Sequence, residues 1–384
     1  MHIPVCLNKC DYCDFFSVPL SQYPANTCTH IFNPLITALL NEITFRRNEY
    51  SINDWKTIYI GGGTPSLLSP ENIYRLGKGI LTGIENTDSN PVECTVEANP
   101  EDLTEEWLDA CSKAGINRLS LGIQSLNDGI LENIGRRGTG KTNRRALEIT
   151  KKKWKGNFSL DLISGLPDQN LQDLLHDIDE IIFYKPDHIS LYSLTVEPKT
   201  PLGKKLDESS NFNIPNDDES ASLWIAGRDY LKQKGYFQYE VSNFALKGFE
   251  SRHNMTYWNL DSYIGVGPGA TGTIITGDTA NRTTNTHDIS RWLEEPESSF
   301  TVEYINKTDC IREVILMGMR LSSGLNRKKF LHRFGIDILG LIGNTLKKWS
   351  EKKMLIITPK SIALNEDGLL ILNRFLEDCF DELP

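Results

Sequence analysis

Short β-rich apolar runs alternate along the first two thirds of the chain with longer stretches whose apolar residues return every three or four positions. Residues 57–60 run into Gly61, Gly62 and Gly63; residues 92–96 run into Glu97, Ala98, Asn99 and Pro100; residues 118–122 run into Ile123, Gln124 and Ser125. Residues 158–163 run towards Gly165, Leu166 and Pro167, and residues 188–194 run into Thr195, Val196 and Glu197. Each such run predicts a buried strand that stops at glycine or polar residues. Between them, residues 104–114 predict a helix opened by Thr104 with Glu105 and Glu106 in its first turn, and residues 171–183 predict another. Strand and helix in alternation imply parallel strands with crossover helices, and such folds gather their chemistry at the C-terminal ends of the strands.

Past residue 244 the alternation lapses. Residues 246–305 read as a loop-rich connector carrying His253-Asn254-Met255-Thr256-Tyr257-Trp258 and Gly265-Val266-Gly267-Pro268-Gly269-Ala270. The remainder, 306–384, turns helical over 311–321, 326–334 and 338–352, then predicts a hairpin of 355–357 with 362–364 and a last helix. That order suits a smaller, mostly helical, winged-helix-like domain. Its acidic end, residues 377–382, suits a structural module better than a DNA-binding one. The expected fold class is therefore α/β, with 1–245 as the main unit.

Composition narrows the classes further. With 384 residues, 39% of them hydrophobic and 24% charged, the chain can build a sizeable core, so disorder and collagen-like repeats are excluded. A net charge of −10 argues against broad nucleic-acid binding, and the basic run 151–155 reads as a solvated helix end. No apolar window is long enough to span a membrane and no signal peptide is visible, which gives a cytoplasmic expectation.

Eight cysteines without a secretory signal do not make a disulfide framework. Five are scattered, at 28, 94, 111, 310 and 379, and read as ordinary thiols. The other three, Cys6, Cys10 and Cys13, fall in one short loop. Three thiolates at that spacing suit iron–sulfur chemistry, or a zinc ion if His2 or His30 adds a fourth ligand, or they are an accidental cluster. A cubane held by three cysteines would leave one iron open.

Followed by Gly61-Gly62-Gly63-Thr64-Pro65, this spacing resembles the radical S-adenosylmethionine (SAM) superfamily. Cys-Asp-Tyr-Cys-Asp-Phe-Phe at 10–16, Glu97-Ala98-Asn99-Pro100, Ser120-Leu121-Gly122-Ile123-Gln124-Ser125, Gly135-Arg136, Asp161-Leu162-Ile163-Ser164-Gly165-Leu166-Pro167 and Tyr239-Glu240-Val241-Ser242-Asn243-Phe244-Ala245 extend the resemblance over nearly the whole chain. They are similar to the oxygen-independent coproporphyrinogen III oxidases and their relatives. The His253-Asn254-x-x-Tyr257-Trp258 segment resembles most the heme chaperone HemW branch, where it is associated with heme.

The resemblance implies a partial parallel (β/α)6 radical SAM barrel. It implies a [4Fe-4S] cluster on Cys6, Cys10 and Cys13, Tyr12 beside the SAM adenine, and Gly62, Gly63 and Thr64 at the methionine end. Glu97, Gln124, Arg136 and Asp161 become further SAM contacts, and His253 a heme contact. The implied function is a chaperone that carries heme as cargo to acceptor proteins, membrane-associated ones included, with no nucleic-acid partner. The alternative is a coproporphyrinogen III dehydrogenase that cleaves SAM reductively and abstracts hydrogen from a propionate side chain. A purely structural zinc protein is the weaker third reading. Against the dehydrogenase stand Phe15, where that enzyme continues its motif with a fourth cysteine, and the few residues ahead of Cys6. The resemblance is imperfect at residues 1–4, where the first barrel strand looks clipped, and at Gly138, where the family carries a histidine.

Overall fold

The computed structural model describes residues 1–22, 31–83, 91–207 and 213–383, so Cys28 and His30 lie outside the described residues. The main sheet runs through β1 (His2–Ile3), with the small parallel pair β2 (Val5–Cys6) and β3 (Val18–Pro19) beside it, then β4 (Thr57–Gly62), β5 (Glu93–Ala98), β6 (Arg118–Gln124), β7 (Asn157–Ser164) and β8 (His188–Ser193). Strands β1, β4, β5, β6, β7 and β8 lie in that order and all pair in parallel, and β9 (Phe237–Gln238) and β10 (Asn243–Ala245) close the far edge antiparallel. Helices α1 (Phe32–Glu49), α2 (Pro70–Leu81), α3 (Glu105–Ala114), α4 (Gly140–Lys153), α5 (Leu171–Phe183) and α6 (Asp217–Gln233) follow the six parallel strands in turn. The result is a partial (β/α)6 barrel.

Residue alternation along these strands separates two environments. Ile58 and Ile60, Cys94 and Val96, Leu119 and Leu121, Leu160 and Leu162, and Ile189 and Leu191 are all buried in one core with the helices. Their neighbours, Tyr59, Thr95, Glu97, Ser120, Ser159, Asp161, His188 and Ser190, turn to the other face, because successive side chains of a strand point to opposite sides. The inside of the barrel is thus polar and the outside apolar.

The two-residue strand β1 is held by its neighbours on both sides. His2 and Ile3 stand opposite Gly61 and Gly62 of β4, and His2 N–H donates to Val266 O at 2.8 Å. A side chain on Gly62, whose φ is +116°, would strike the His2 ring at 2.1 Å, and one on Gly267, with φ +103°, would strike the His2 carbonyl oxygen at 2.4 Å. Both glycines let other backbone come close. The ring of His2 lies 2.5 Å from Pro268 O, and it does not line the cavity of the three cysteines. His2 is therefore turned away from the zinc role that spacing alone left open.

The connector is more ordered than its sequence suggests. It holds the short helix α7 (Arg252–Trp258) and an antiparallel sheet of β11 (Thr271–Thr276), β12 (Thr279–Asn285) and β13 (Phe300–Ile305). Thr-rich and charged strands such as 279–285 hide this sheet from an apolar-run reading. It is fastened to α1 through Glu42, which is fully buried: its carboxylate accepts from Gly267 N–H at 2.8 Å, Asn285 Nδ2 at 2.7 Å and Trp292 Nε1 at 3.0 Å, with Arg46 at 3.8 Å.

A second core gathers α8 (Lys307–Gly318), α9 (Arg327–Phe334), α10 (Ile338–Leu341), α11 (Gly343–Glu351) and the last helix, α12 (Leu372–Glu382), around a small sheet of β14 (Leu325–Asn326), β16 (Ser361–Leu364) and β15 (Leu355–Ile357), in that spatial order. The first helix begins earlier than 311 because Asn306 caps it, accepting from Asp309 N–H. The expected helix 338–352 divides at Ile342. There the Glu382 carboxylate accepts from Asn344 and Thr345 N–H at 2.9 and 2.7 Å, a cap supplied from across the domain. Among the described residues no helix is long and apolar enough to cross a membrane.

Removing the Glu42 carboxylate would leave Gly267 N–H and Trp292 Nε1 without an acceptor in the interior, while Asn285 keeps Gly267 O at 2.8 Å and Arg46 keeps Glu49 at 3.0 Å. Glu42→Ala should cost about 2–6 kcal/mol in urea unfolding, from about 1–3 kcal/mol for each buried donor left without an acceptor. A loss below about 1 kcal/mol would show that the connector is held elsewhere.

Candidate cofactor pocket and the helix beneath it

Cys6 ends β2, and the turn that follows brings Cys13 back, with Cys13 N–H donating to Cys10 O at 3.1 Å. Asp11, between them, fastens the loop: its N–H donates to Ile134 O, its carbonyl accepts from Leu202 N–H, and its carboxylate meets Lys205 at 2.5 Å. Tyr12 packs against the small apolar cluster of Ile130, Ile134, Ile163 and Leu166, and burial raises the pKa of its hydroxyl. Thr64 Oγ1 donates to Cys6 Sγ at 3.3 Å, and Arg136 Nη1 to Cys10 Sγ at 3.6 Å. Burial alone would lower the pKa of Arg136, but Tyr12, Cys10 and Glu101 raise it, so its charge is retained beside the thiols.

All three cysteines, with Tyr12, Gly62, Gly63, Thr64, Glu97, Gln124, Arg136 and Asp161, line one cavity of about 450 Å³. The strand ends explain the convergence. Gln124 leaves the β6–β7 ladder at a register shift with φ +64°, an uncommon backbone for a residue other than glycine. The next residues are held by Asp177, which accepts from Ser125 Oγ at 2.7 Å and Leu126 N–H at 3.0 Å. Phe15, 72% exposed, also lines this cavity.

The floor of the cavity is carboxylate. Glu97 accepts from Tyr59 OH at 2.7 Å and Gly62 N–H at 3.1 Å, and Asp161 from Ser120 Oγ at 3.1 Å. These donors are neutral. Burial raises the pKa of Glu97 to about 7 against the pull of Tyr59, with Asp161 pushing it further up, and burial also raises Asp161. Two buried acids that face a cavity through neutral partners favour a ligand carrying positive charge.

The donor set also suits an iron–sulfur cluster. Three thiols line one cavity, and Thr64 and Arg136 donate to two of them, which suits the thiolate ligation of such a cluster.

His253 is not in this cavity. It lies on α7, whose first turn is held by Glu93: Arg252 and His253 N–H donate to the two carboxylate oxygens at 3.1 and 2.9 Å. The imidazole is bonded on both sides, with Nδ1 2.9 Å from Thr57 Oγ1 and Nε2 2.9 Å from Tyr257 OH, and burial lowers its pKa to about 3. Its ring stacks on Tyr59 at 5.0 Å and 19°. Tyr59 therefore touches His253 with its ring and Glu97 with its hydroxyl. A second line of hydrogen bonds runs from Ser159 Oγ to His188 Nδ1 at 2.7 Å, from His188 Nε2 to Tyr239 OH at 2.8 Å, and on to Ser251 N–H, which donates to Tyr239 OH at the start of α7. The sequence reading missed Tyr59, Ser120, Ser159, His188 and Ser190. The signal was present in the polar residue at every second position of each strand.

Residues 1–181 match the radical SAM superfamily and residues 305–371 match the HemN C-terminal domain. The solved structure of coproporphyrinogen III oxidase (HemN) from Escherichia coli, a radical SAM enzyme, has the same fold, with a TM-score of 0.82 at 20% identity over 99% of this chain and 88% of that one. Barrel, cysteine loop and matches together define a radical SAM protein, a class that implies a [4Fe-4S] cluster and SAM. The chain is 34% identical over 383 residues to the heme chaperone HemW of Bacillus subtilis (strain 168), covering 100% of this chain and 99% of the relative. It is 33% identical over 386 residues to the heme chaperone HemW of Escherichia coli (strain K12), covering 98% and 96%. The chain belongs to the heme chaperone HemW family.

Glu97 makes a pH test of the pocket floor. A carboxyl whose folded pKa, about 7, lies above its ordinary 4.5 contributes stability that is whole below pH 4.5 and lost as the pH rises through about 7. Glu97→Gln fixes the uncharged form, so its melting temperature should gain on the wild type between pH 5 and pH 8. A constant gap across that range would mean that Glu97 ionises as an ordinary carboxylate.

Proposed function

We propose that this protein is a heme chaperone that binds heme as cargo and passes it to acceptor proteins, and that it carries a [4Fe-4S] cluster and a SAM site. The observation that carries the reading is Tyr59. It joins the floor of the cysteine cavity to the helix of the His253-Asn254-x-x-Tyr257-Trp258 segment by one hydrogen bond and one ring stack. Full-length similarity to relatives named heme chaperones supports it.

Cys6, Cys10 and Cys13 are the proposed cluster ligands, with Arg136 and Thr64 donating to the sulfurs. A cluster bound there supplies one-electron reduction and one iron without a protein ligand. For SAM, Tyr12 borders the adenine end, and Gly62, Gly63 and Thr64 the methionine end. Glu97 and Asp161 accept from ammonium or ribose hydroxyls, Gln124 offers an amide, and Arg136 suits a carboxylate. A donor arriving at Glu97 competes with the Tyr59 hydroxyl, and Tyr59 rests on His253. Occupancy of the pocket would thereby bear on α7.

The role we assign to His253 in heme binding is positional: both ring nitrogens are occupied, and it anchors α7 against β4 through Thr57. The dehydrogenase reading keeps one supporting observation, the polar floor assembled beside the cysteines. Phe15 at the position of that enzyme's fourth cysteine speaks against it.

After anaerobic reconstitution, the wild type should bind iron, sulfide and hemin and leave coproporphyrinogen III unchanged, and Cys10→Ala should lose the cluster absorption bands. SAM-dependent release of carbon dioxide from coproporphyrinogen III at catalytic rates would establish the dehydrogenase instead. His253→Ala should lower stability by about 1–3 kcal/mol, the cost of breaking buried hydrogen bonds, and leave the Soret maximum of bound hemin in place. A displaced Soret band in that variant would make His253 an iron ligand.

A further inference from the structure

Helix α7 divides two cavities, and the residues of its motif do not share one of them. His253 and Thr256 line a cavity of about 610 Å³ with Tyr59, Trp55 and Tyr263, where the acids Asp54 and Asp261 stand beside Lys56 and Met1. Trp258 lines the other, of about 500 Å³, between α7 and the C-terminal domain. Its walls are Val314, Leu321, Leu325, Phe330 and Phe334, and its rim carries Lys328, Lys329, His332 and Arg333 against one acid, Asp261.

Three features of the second cavity point to a ligand. Nearby cations are neutralised, Arg312 by Asp309 and Arg327 by Asp337, whereas Lys328 and Lys329 enter no ion pair among the described residues. This gathers unneutralised positive charge on a chain of net charge −10. The indole Nε1 of Trp258 is buried and has no acceptor, an orphaned donor of the kind a folded protein seldom leaves. The volume lies in the range of small-ligand sites, and the walls offer aromatic and branched apolar surface.

We infer that this cavity is the cargo site, taking a flat apolar macrocycle with two carboxylates, a heme or other dicarboxylate porphyrin. The ring lies against Trp258 and the apolar walls, and the carboxylates meet Lys328 and Lys329. The inference rests on the heme reading above and adds a location to it. It places the cargo on the Trp258 side of α7, away from His253. Arg320 stands over the Trp258 indole at 5.3 Å, and Arg333 donates to Leu260 O at 3.2 Å, so the floor and the end of α7 are held from the C-terminal domain.

Lys328 and Lys329 are both exposed, so Lys328→Glu/Lys329→Glu should fold normally. The full-length wild type, this double variant and Lys56→Glu, which alters the other cavity, are titrated with hemin and with hemin dimethyl ester, with circular dichroism as the check on folding. The double variant should bind hemin at least tenfold more weakly than the wild type and the ester with unchanged affinity, and Lys56→Glu should bind both as the wild type does. Equal weakening of hemin and ester would overturn the carboxylate assignment. Undiminished hemin binding by the double variant would overturn the location and leave the chaperone reading standing. If that variant then also delivers hemin more slowly to an apo-hemoprotein, the basic rim is a surface for an acidic acceptor and not for cargo. Failure of the wild type to bind hemin at micromolar concentration would remove both readings together.

Discussion

The burial of Glu97 and Asp161 inside the barrel is the constraint on which the rest of the structure turns. Two carboxylates removed from water need partners, and the chain supplies neutral ones: Tyr59 and the Gly62 N–H for the first, serines for the second. Neutral partners satisfy the oxygens without cancelling their charge, so the cavity keeps a polarity that a cationic ligand can use. Arg136 stands beside the thiols, where it meets Cys10, and the buried Arg118 acts on Asp161 through its charge without a hydrogen bond to it. One end of the pocket thus gathers thiols beside an arginine, the other buried carboxylates with neutral partners.

The same constraint orders the lumen below. Because the inner residues of the strands are polar, several of them bond to one another within the barrel, while the buried Thr95 hydroxyl has no partner. Glu97, Tyr59 and His253 make one line, and Ser159, His188 and Tyr239 make another. Both end at α7, the helix that separates the two lower cavities. The Tyr59 hydroxyl bonds Glu97 and its ring stacks on His253, so the two groups share one side chain.

The edge of the barrel is held by backbone approach. Strand β1 is only two residues long, yet it is fixed by β4 on one side and by the 265–270 segment on the other, with Gly62 and Gly267 clearing the space. The buried Glu42 then locks that segment to α1. The glycines that the sequence presents as ligand contacts and as a functional connector thus also have a packing duty, and side chains there would displace the first strand before they met any ligand.

The sequence by itself determined the parallel α/β class, the five strands from residue 57 to 194, the helix 171–183, the winged C-terminal hairpin and the cluster loop. These are local: strand periodicity, cap residues and cysteine spacing act over a few positions, and the eleven residues assigned to cluster and SAM do converge on one cavity. Tertiary structure decided what depends on distant partners. Whether helix 338–352 runs on or breaks is set by Glu382, some forty residues away, and the connector sheet forms from polar strands because Glu42 and the second core give it surfaces to lie on. His253 and Trp258 are five positions apart in one motif, but a short helix turns them to different cavities, and His253 arrives with both nitrogens already taken. Residue identity marked that helix as functional. Only the packing of the barrel, the helix and the C-terminal domain around it assigned each of its side chains a place.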